Sequence, residues 1–440
     1  MATRASALNR RALLAGAGGA AAWLLAACGA GGPTGDSAQG TGAPRAAVGP
    51  SRLQMWYGLG GQQGAHVARV NERFTGEHPQ IQVELLTVPE AELTAKLAAA
   101  LAAGSPPDLA GLGASRLAEQ IERKRVVSLR RYRRDLARLD WYDAPGRAVV
   151  RGEDVFAMPV QTGALALYYN ADLYQKAGLD PTAPPTTWDA LLANATAIAR
   201  PEQARWGHAI GTAPIAWTAE QVWVASLWQA GGEWLTSDGR RAAFNGAAGV
   251  EALQFWADLV QKHQVVPRKA IDNLVMGGDF EAGAVGHMTI YPSWALRAEG
   301  MRFPVRTAPL PRHRRPATVA SVVAIPVFSE STQQDAAWTY LDWLSQPDHL
   351  IFYLSGLGGI PPRAAVAESA AWTAFVGQHP LLQAFVDSLP QARVAYVGTG
   401  AQDIAVLVAQ AIEAAVLAQT SPKQALDDAA RQADAILARP

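Results

Sequence analysis

Residues 156–179 read FAMPVQTGALALYYNADLYQKAGL, and the centre of this segment indicates the class of the fold. Residues 164–169 form a continuous apolar run, which is typical of a strand that is buried on both faces. Such strands occur mainly in sheets that are covered by helices on both sides. We therefore predict that an α/β region of the chain begins near Ala164.

The chain before this stretch carries the signals of another α/β region. Apolar residues alternate with polar ones at positions 53–57 and 81–85, which predicts two strands. Apolar residues at helical spacing follow each of them, at positions 67–74 and 93–101. This strand–helix order predicts a mainly parallel sheet with helices on both faces.

The chain after the stretch continues the same alternation. Thr186 and Asp189 have the spacing of a capping box and predict the start of a helix. Further strands are expected near residues 287–291 and 321–327, and further helices near residues 334–345, 402–419 and from 421 onward. Two α/β regions of similar size favour a ligand cleft between them.

The composition excludes several classes of function. The 440 residues carry 38 Lys and Arg against 38 Asp and Glu, so no positive excess favours nucleic acid as a partner. The single Cys excludes a disulfide framework and a Cys-rich metal site. The eight His are scattered without an H-E-x-x-H motif, so we expect no metal and no other cofactor.

The first residues of the chain have the pattern of an export signal. Arg10 and Arg11 precede an uncharged, apolar stretch that is too short for a stable membrane span. A basic start, an apolar centre and small residues before a cleavage site predict an export signal over residues 1–27. The paired arginines resemble a twin-arginine signal.

Cys28 follows this signal directly, in the sequence Leu-Ala-Ala-Cys. This sequence resembles a bacterial lipobox, in which the cysteine carries a lipid after cleavage. The resemblance implies a protein that is anchored to the cell membrane without spanning it. Residues 28–50 are rich in glycine and predict a flexible tether with a reach of about 25 Å.

Several further stretches carry a family resemblance together with residues 156–179. They read QMWYG at 54–58, LAAALAAGSPPDL at 97–109, LWQAGGEW at 227–234, FNGAAGVEALQFWADLV at 244–260 and IPPR at 360–363. In this order they resemble the family 1 extracellular solute-binding proteins of ABC importers, which include maltose-binding and other sugar-binding proteins. The resemblance covers essentially the whole chain after the predicted tether.

The resemblance implies an α/β fold of the two-lobed periplasmic-binding-protein type II class, with discontinuous lobes, a hinge and a cleft between the lobes. The first lobe is expected at residues 51–160 plus 310–360, and the second at residues 161–309 plus 361–440. The hinge is expected near residues 159–163, 305–310 and 356–362. Glycine and proline at these positions are equally consistent with ordinary turns.

The resemblance also implies ligand-binding residues in the first lobe. A sugar ring offers an apolar face to aromatic side chains and hydroxyl groups to polar side chains, so both kinds must occur together. The candidates at strand ends of this lobe are Tyr57, Gln62, Gln63, Asp108, Ser115 and Arg116. Core packing of Tyr57, a capping role for Asp108 and simple exposure of Arg116 remain alternatives.

Candidates from the crossover and the second lobe complete the expected site. Trp294 corresponds to the tryptophan of the family's Gly-Pro-Trp segment and is the first candidate for stacking on a sugar. The others are Gln161, Thr162, Tyr291, Ser293, Gly358, Gly359 and Arg363. A helix that carries Trp217, Glu220 and Trp223 is a further candidate wall, although tryptophan at helical spacing is more typical of a core.

The expected function is that of a non-catalytic clamp. The lobes close on a mono- or oligosaccharide, and the permease of an ABC transporter recognises the closed form. The chain contains no G-x-x-x-x-G-K-[ST] loop, so ATP hydrolysis falls to separate subunits. We expect the receptor to be a monomer.

Two alternatives remain open. The first is a binder of a phosphorylated polyol such as a glycerol phosphate ester, held by Arg116 and Arg363. The second is a secreted carbohydrate-active hydrolase, for which Glu153-Asp154 and Asp427-Asp428 are neighbouring carboxylates. Neighbours in sequence do not establish the spaced pair that glycoside hydrolysis requires.

Overall fold

The structure, a computed structural model, describes residues 51–211, 217–268, 273–395, 398 and 400–438, without the side chains at 90–91, 217–219 and 273–275. These residues belong to one compact unit, Gly49–Pro440. The predicted export signal with Arg10 and Arg11, the predicted lipidation site Cys28 and the predicted tether lie outside the described residues.

Strands and helices alternate along the described chain, as the sequence predicts. The strands are β1 (Ser51–Tyr57), β2 (Ile81–Thr87), β3 (Leu109–Gly113), β4 (Val150–Arg151), β5 (Asp154–Val155), β6 (Met158–Ala164), β7 (Ala166–Asn170), β8 (Trp206–Ala209), β9 (Val285–Ile290), β10 (Val305–Ala308), β11 (Thr318–Ile325) and β12 (Ala392–Arg393). The strands predicted near 287–291 and 321–327 are therefore confirmed as β9 and β11.

The α-helices lie between these strands and after the last of them. They are α1 (Gly61–Glu77), α2 (Glu90–Ala102), α3 (Ala114–Glu122), α4 (Asp143–Val149), α5 (Ala171–Lys176), α6 (Trp188–Ile198), α7 (Trp217–Gln229), α8 (Ala247–Gln261), α9 (Asn273–Glu281), α10 (Ala295–Ala298), α11 (Gln334–Leu344), α12 (Pro347–Ser355), α13 (Ala364–Ala367), α14 (Ala370–Gln378), α15 (Gln383–Ser388), α16 (Ala401–Val416) and α17 (Pro422–Leu437).

The first sheet has the order β12-β11-β3-β1-β2, with β6 paired to β11. β1 is parallel to β2 and to β3, whereas β11 runs antiparallel to both β3 and β6. β1, β3 and β6 therefore point the same way, and their carboxyl ends at Tyr57, Gly113 and Ala164 share one edge. Ligand sites of α/β sheets form at this kind of edge.

The second sheet has the order β10-β7-β9-β8, in which only β8 and β9 are parallel. All residues of β7 are buried, which confirms the predicted burial of residues 164–169. The run is nevertheless not one strand. Ala164 ends β6 in the first sheet, Ala166 begins β7 in the second sheet, and Leu165 alone joins them. The apolar run is thus the point where the chain passes between two sheets.

Side-chain caps fix several helix starts. Ser421 accepts a hydrogen bond from the Gln424 backbone N–H at 3.2 Å, and Pro422 occupies the first turn of α17, as predicted. The predicted capping residue Thr186 is wrong by one position. Thr187 is extended, and its hydroxyl oxygen accepts from the Ala190 N–H at 3.1 Å, so α6 begins at Trp188.

Two neutral histidines are buried in the second sheet. His287 donates from Nδ1 to the Gly207 carbonyl at 2.7 Å, and its Nε2 accepts from the Tyr174 hydroxyl at 2.6 Å. His208 lies beside it, with ring centroids 6.1 Å apart. Burial lowers the pKa of His287 to about 4 and that of His208 to about 3. The folded protein therefore resists protonation at both positions.

This burial predicts that the protein loses stability in mild acid. Unfolded histidine titrates near pH 6.5, so between about pH 6.5 and 4 the unfolded chain binds more protons than the folded one. Each histidine should then lower the free energy of unfolding by about 1.4 kcal/mol for every unit by which the pH falls in this range. Because His287→Gln removes one of these groups, the stability that the wild type loses relative to this variant between pH 6.5 and 4.5, measured by urea unfolding, should approach about 1.4 kcal/mol per pH unit. An unchanged pH slope in His287→Gln would contradict the prediction.

Candidate ligand-binding site

A cavity of about 410 Å³ opens where the carboxyl ends of the first sheet face α7 and the end of β9. We call it the inner cavity. Its described polar lining consists of Tyr57, Gln63, Ser115, Arg116, Gln161, Glu220, Gln221, Tyr291, Ser293, Ser321 and Gln402. The volume lies within the range of about 300–1,000 Å³ that is usual for small-molecule sites.

A second, more open space of about 1060 Å³ adjoins the inner cavity. We call it the outer groove. Gln63 and Ser293 line both spaces, so the two are continuous. The other described lining residues with polar or aromatic side chains are Gln62, His66, Arg69, Trp294 and Arg297. Together the two spaces can hold a ligand that is longer than the inner cavity alone.

The floor of the inner cavity depends on a close contact at the end of β1. Tyr57 lies over Gly111, where a Cβ atom would approach the ring to 2.5 Å, so no side chain fits at position 111. The Tyr57 hydroxyl is hydrogen-bonded to the hydroxyl of Tyr353, which is also buried. Tyr57 is therefore both a core residue and a wall of the cavity, which joins the two alternatives that the sequence left open.

Polar side chains of the first sheet reach the cavity from three elements. Ser115 and Arg116 lie in the first turn of α3, directly after β3. Gln161 projects from β6, and its side chain packs against the backbone of Gly359, where a Cβ atom would collide with it. Gln63 lies in α1, with its amide 3.5 Å from the Leu357 carbonyl. The structure thus brings together predicted residues from distant parts of the sequence.

The opposite wall comes from the second sheet and α7. Tyr291 follows β9, and its hydroxyl donates a hydrogen bond to Oε1 of Gln221 in α7. Glu220 precedes Gln221 and is only 5% exposed. Its Oε2 has no hydrogen-bond partner in the described part of the chain. Burial raises the pKa of Glu220 to about 8, partly offset by a hydrogen bond from the Gln221 backbone, so this carboxyl is mainly neutral at pH 7.

Trp294 lines the outer groove and not the inner cavity. Its ring packs against Gly277, where a Cβ atom would collide with it, and the Arg297 guanidinium lies 5.0 Å from the ring centroid. The side chain is partly buried, which leaves part of the ring open to the groove. Gln62 lies on the other wall of the same groove.

Three residues that the sequence predicts as ligand contacts line neither space, because strand geometry or packing places them elsewhere. Thr162 is fully buried and donates from Oγ1 to the Ser321 carbonyl at 2.9 Å; it lies on the face of β6 opposite to Gln161, because side chains alternate along a strand. Trp223 is fully buried in the core between α7 and its neighbours. Gly358 has a φ of +69° and lies against the Pro292 carbonyl, so it supports the cavity without lining it.

Two further residues that the sequence predicts as ligand contacts line neither space, because they are held by hydrogen bonds to other parts of the protein. Asp108 accepts from the Gln54 N–H at 2.8 Å and from the Ser331 hydroxyl at 2.5 Å, so both carboxylate oxygens are used, one by β1 and one by the segment before α11. Arg363 pairs with Asp140, with N–O distances of 2.7 and 2.8 Å, and lies outside the lining of both spaces. Trp217 belongs to α7, and its side chain is outside the described residues.

The neighbouring carboxylates of the hydrolase alternative, at positions 153–154 and 427–428, also lie outside the lining of both spaces. Glu153 pairs with Arg130, and Asp154 accepts from the Ser128 hydroxyl at 2.6 Å. Asp427 accepts from the Asn245 amide and Asp428 from the Gln424 amide, both at 2.9 Å. These groups stabilise surface turns and helix α17.

Within the described ranges, no group of three or more His, Cys, Asp or Glu side chains has the arrangement of a metal site. Within the same ranges, no helix combines the length and the apolar character that crossing a membrane requires.

Sequence reasoning missed several lining residues. Gln221, Ser321 and Gln402 enter the inner cavity, and Arg69 and Arg297 enter the outer groove. Gln221 directly follows Glu220, which the sequence had singled out, so the start of α7 was the available signal. No local pattern distinguishes the others, because their exposure to the cavity arises from the packing of separate elements.

The fold and the cavity define a two-lobed α/β protein that binds a small molecule between its sheets. The chain belongs to the bacterial extracellular solute-binding protein family, whose model matches residues 70–380. Proteins of this family are binding proteins of ABC transporters, and the curated relatives include periplasmic ones. The expected family and fold class are thereby confirmed.

Solved structures and curated relatives resemble the chain over most of its length. The structure of the cyclic alpha-maltosyl-1,6-maltose binding protein from Arthrobacter globiformis is 28% identical, covers 88% of this chain and 99% of that one, and has a TM-score of 0.77. A Brucella abortus protein named as a binding protein without a stated ligand is 27% identical over 85% of this chain and 90% of its own length. The sn-glycerol-3-phosphate-binding periplasmic protein of Yersinia pestis is 23% identical, over 89% and 94% of the respective chains.

Proposed function

We propose that the protein is the extracytoplasmic receptor of an ABC importer and captures a mono- or oligosaccharide in the inner cavity and outer groove. The observation that carries this proposal is the lining of the inner cavity. Amides, hydroxyls and a neutral carboxyl from both sides surround a space in which Tyr57 and Tyr291 supply aromatic rings. A polyol needs this combination, because its buried hydroxyl groups must be hydrogen-bonded and its C–H faces need apolar contacts.

The charge of the lining supports an uncharged ligand. Among the described lining residues of the inner cavity, Arg116 is the only cation and Glu220 is the only carboxyl. Since Glu220 is mainly neutral, the polar contacts available to the ligand come chiefly from amide and hydroxyl groups. The Arthrobacter globiformis relative, named as the binder of a cyclic maltose derivative, supports a sugar as the ligand class.

The proposed mechanism is closure of two lobes on the ligand, and the closed form is what the permease recognises. A ligand that contacts both walls binds the closed form more tightly and shifts the population towards it. We propose lobes at 51–160 plus 310–360 and at 161–309 plus 361–440, with two changes. β6 pairs in the first sheet as far as Ala164, so we move the first boundary to Leu165. β12 pairs with β11 in the same sheet, so residues 392–393 also belong with the first sheet. Residues 305–310 and 356–362 remain the other proposed hinge segments.

The receptor is proposed to act without catalysis and as a monomer. A thermal-shift screen of glucose, maltose, maltotriose, tagatose and glycerol 3-phosphate tests the function, because a ligand that binds the folded form raises its melting temperature. We expect a sugar to give the largest shift and to be recovered unchanged at one molecule per protein. Turnover of the sugar, or the absence of any shift with the four sugars, would overturn the proposal.

A phosphorylated polyol is the second candidate ligand. Arg69 and Arg297 line the outer groove; Arg297 is paired with Glu281, so Arg69 is the cation that supports this candidate, and the Yersinia pestis relative is named for glycerol 3-phosphate. The pair expected from the sequence, Arg116 with Arg363, does not form, because Arg363 is bound to Asp140. A thermal shift with glycerol 3-phosphate that exceeds the shifts with all four sugars would favour this candidate.

Trp294 is proposed to stack on a sugar unit in the outer groove. Trp294→Ala should weaken binding of the best oligosaccharide by about 2 kcal/mol, since it removes an aromatic contact surface. Isothermal titration calorimetry measures the change. The control is Trp338→Ala, which removes an α11 tryptophan that stacks on Tyr132. This variant should bind as wild type. Equal affinities for the two variants would exclude Trp294 from the site.

Localisation at the membrane is proposed to depend on Cys28, with export directed by the segment that contains Arg10 and Arg11. Cys28→Ser removes the thiol that would carry the lipid, so the protein should move from the membrane fraction to the soluble extracytoplasmic fraction. Immunoblots of the fractions measure this shift. The tether variant Ser37→Ala should remain with the membrane, and a Cys28→Ser protein that also remains there would contradict lipid anchoring.

A further inference from the structure

Glu220 lies in the wall of the ligand cavity with one carboxyl oxygen that has no partner among the described residues. It lies in the first turn of α7, is only 5% exposed and lines the inner cavity. Its Oε2 makes no hydrogen bond within the described part of the chain. A buried polar group without a partner costs free energy of folding, and native structures contain few of them. In a cavity wall, a bound ligand is the natural partner for such an atom.

The groups that face Glu220 do not hold it in the charged form. Tyr291 from the end of β9 faces it, and Arg116 lines the same cavity from α3. The part of β11 that lines the cavity carries no titratable residue. On α16, the titratable residue near the start is Asp403, which is exposed. On α8, Glu251 is paired with Arg314. Burial therefore dominates and raises the pKa of Glu220 to about 8.

The protonation state decides what the carboxyl group can do. An ionised carboxylate only accepts hydrogen bonds, whereas a neutral carboxylic acid donates one and accepts others. Each hydroxyl group of a polyol also both donates and accepts. A neutral acid can therefore bind one hydroxyl group as acceptor and a second oxygen of the same ligand as donor, without a buried charge.

We propose that Glu220 binds the ligand as a neutral carboxylic acid, accepting from one ligand hydroxyl and donating to a second ligand oxygen. The proposal rests on the proposed function and adds a specificity-determining, proton-linked contact to it. It implies that the receptor binds its uncharged polyol best at neutral and acid pH and releases it as Glu220 ionises. It also implies selection against analogues that lack the recognised hydroxyl, since these leave the acid unpaired.

Calorimetric titration of the best sugar among glucose, maltose, maltotriose and tagatose tests the contact. For wild type, affinity should fall about ten-fold between pH 7 and pH 9, following the neutral fraction of an acid with a pKa of about 8. Glu220→Gln keeps a donor and an acceptor, so its affinity should stay within about three-fold of the wild-type value at pH 7 and be flat to pH 9. Glu220→Ala should bind at least about ten-fold more weakly at every pH.

The control is Glu251→Gln, an acid variant on α8 that should keep the wild-type pH profile. The binding enthalpy at pH 7 should also be equal in phosphate and Tris buffers, because no proton is released. A difference that corresponds to nearly one proton, a pH slope that persists in Glu220→Gln, or loss of affinity in Glu220→Gln equal to that in Glu220→Ala would each overturn the proposal.

A ligand-free measurement separates this proposal from the proposed function. The folded protein holds a proton on Glu220 up to about pH 8, whereas the unfolded chain releases it near pH 4.5. The wild type should therefore lose stability relative to Glu220→Gln as the pH rises from 5 to 8, measured by urea unfolding. Equal pH profiles would contradict the neutral acid even if sugars bind, whereas failure of all sugars to bind would contradict the proposed function alone.

Discussion

The passage of the chain from β6 into β7 is the constraint on which the rest of the structure depends. β6 is held in the first sheet by pairing with β11, β7 is held in the second sheet by β9 and β10, and Leu165 alone separates them. A Cβ atom at Gly163 would lie 2.8 Å from the Pro292 ring, so glycine permits this close contact. The two sheets therefore meet at a fixed place, and the inner cavity forms there.

The site combines close packing with incomplete hydrogen bonding. Tyr57 on Gly111 and Gln161 on Gly359 are contacts in which glycine admits a large side chain, and they fix where both side chains lie in the cavity wall. Within the described part of the chain, Oε2 of Glu220 departs from the rule that buried polar atoms are paired. Natural proteins break such rules mainly at functional sites, because a binding partner offsets the cost. The unpaired oxygen of Glu220 is therefore more informative about function than the hydrogen-bonded side chains of Tyr291 and Gln221 beside it.

Particular residues show how far the candidate site was predictable. Tyr57, Gln63 and Gln161 line the inner cavity because they lie at the end of β1, in the first turn of α1 and on β6, and the topology brings those positions together. Thr162 was wrong because adjacent residues of a strand face opposite sides. Asp108 and Arg363 were wrong because their partners, Ser331 and Asp140, are more than two hundred residues away in sequence, as the separations of 223 show. Long-range hydrogen bonds of this kind leave no local signal.

The amino-acid sequence is sufficient to predict the order of strands and helices and the α/β class, since apolar periodicity and helix-capping residues act over a few neighbouring positions. It also determined the family, because matching segments recur in order along the chain. Only the tertiary structure decided that the apolar run at 164–169 is divided between two sheets, and which polar side chains share the cavity. It alone decided the protonation of Glu220, because a pKa depends on burial, and burial is a property of all the elements that pack around the group.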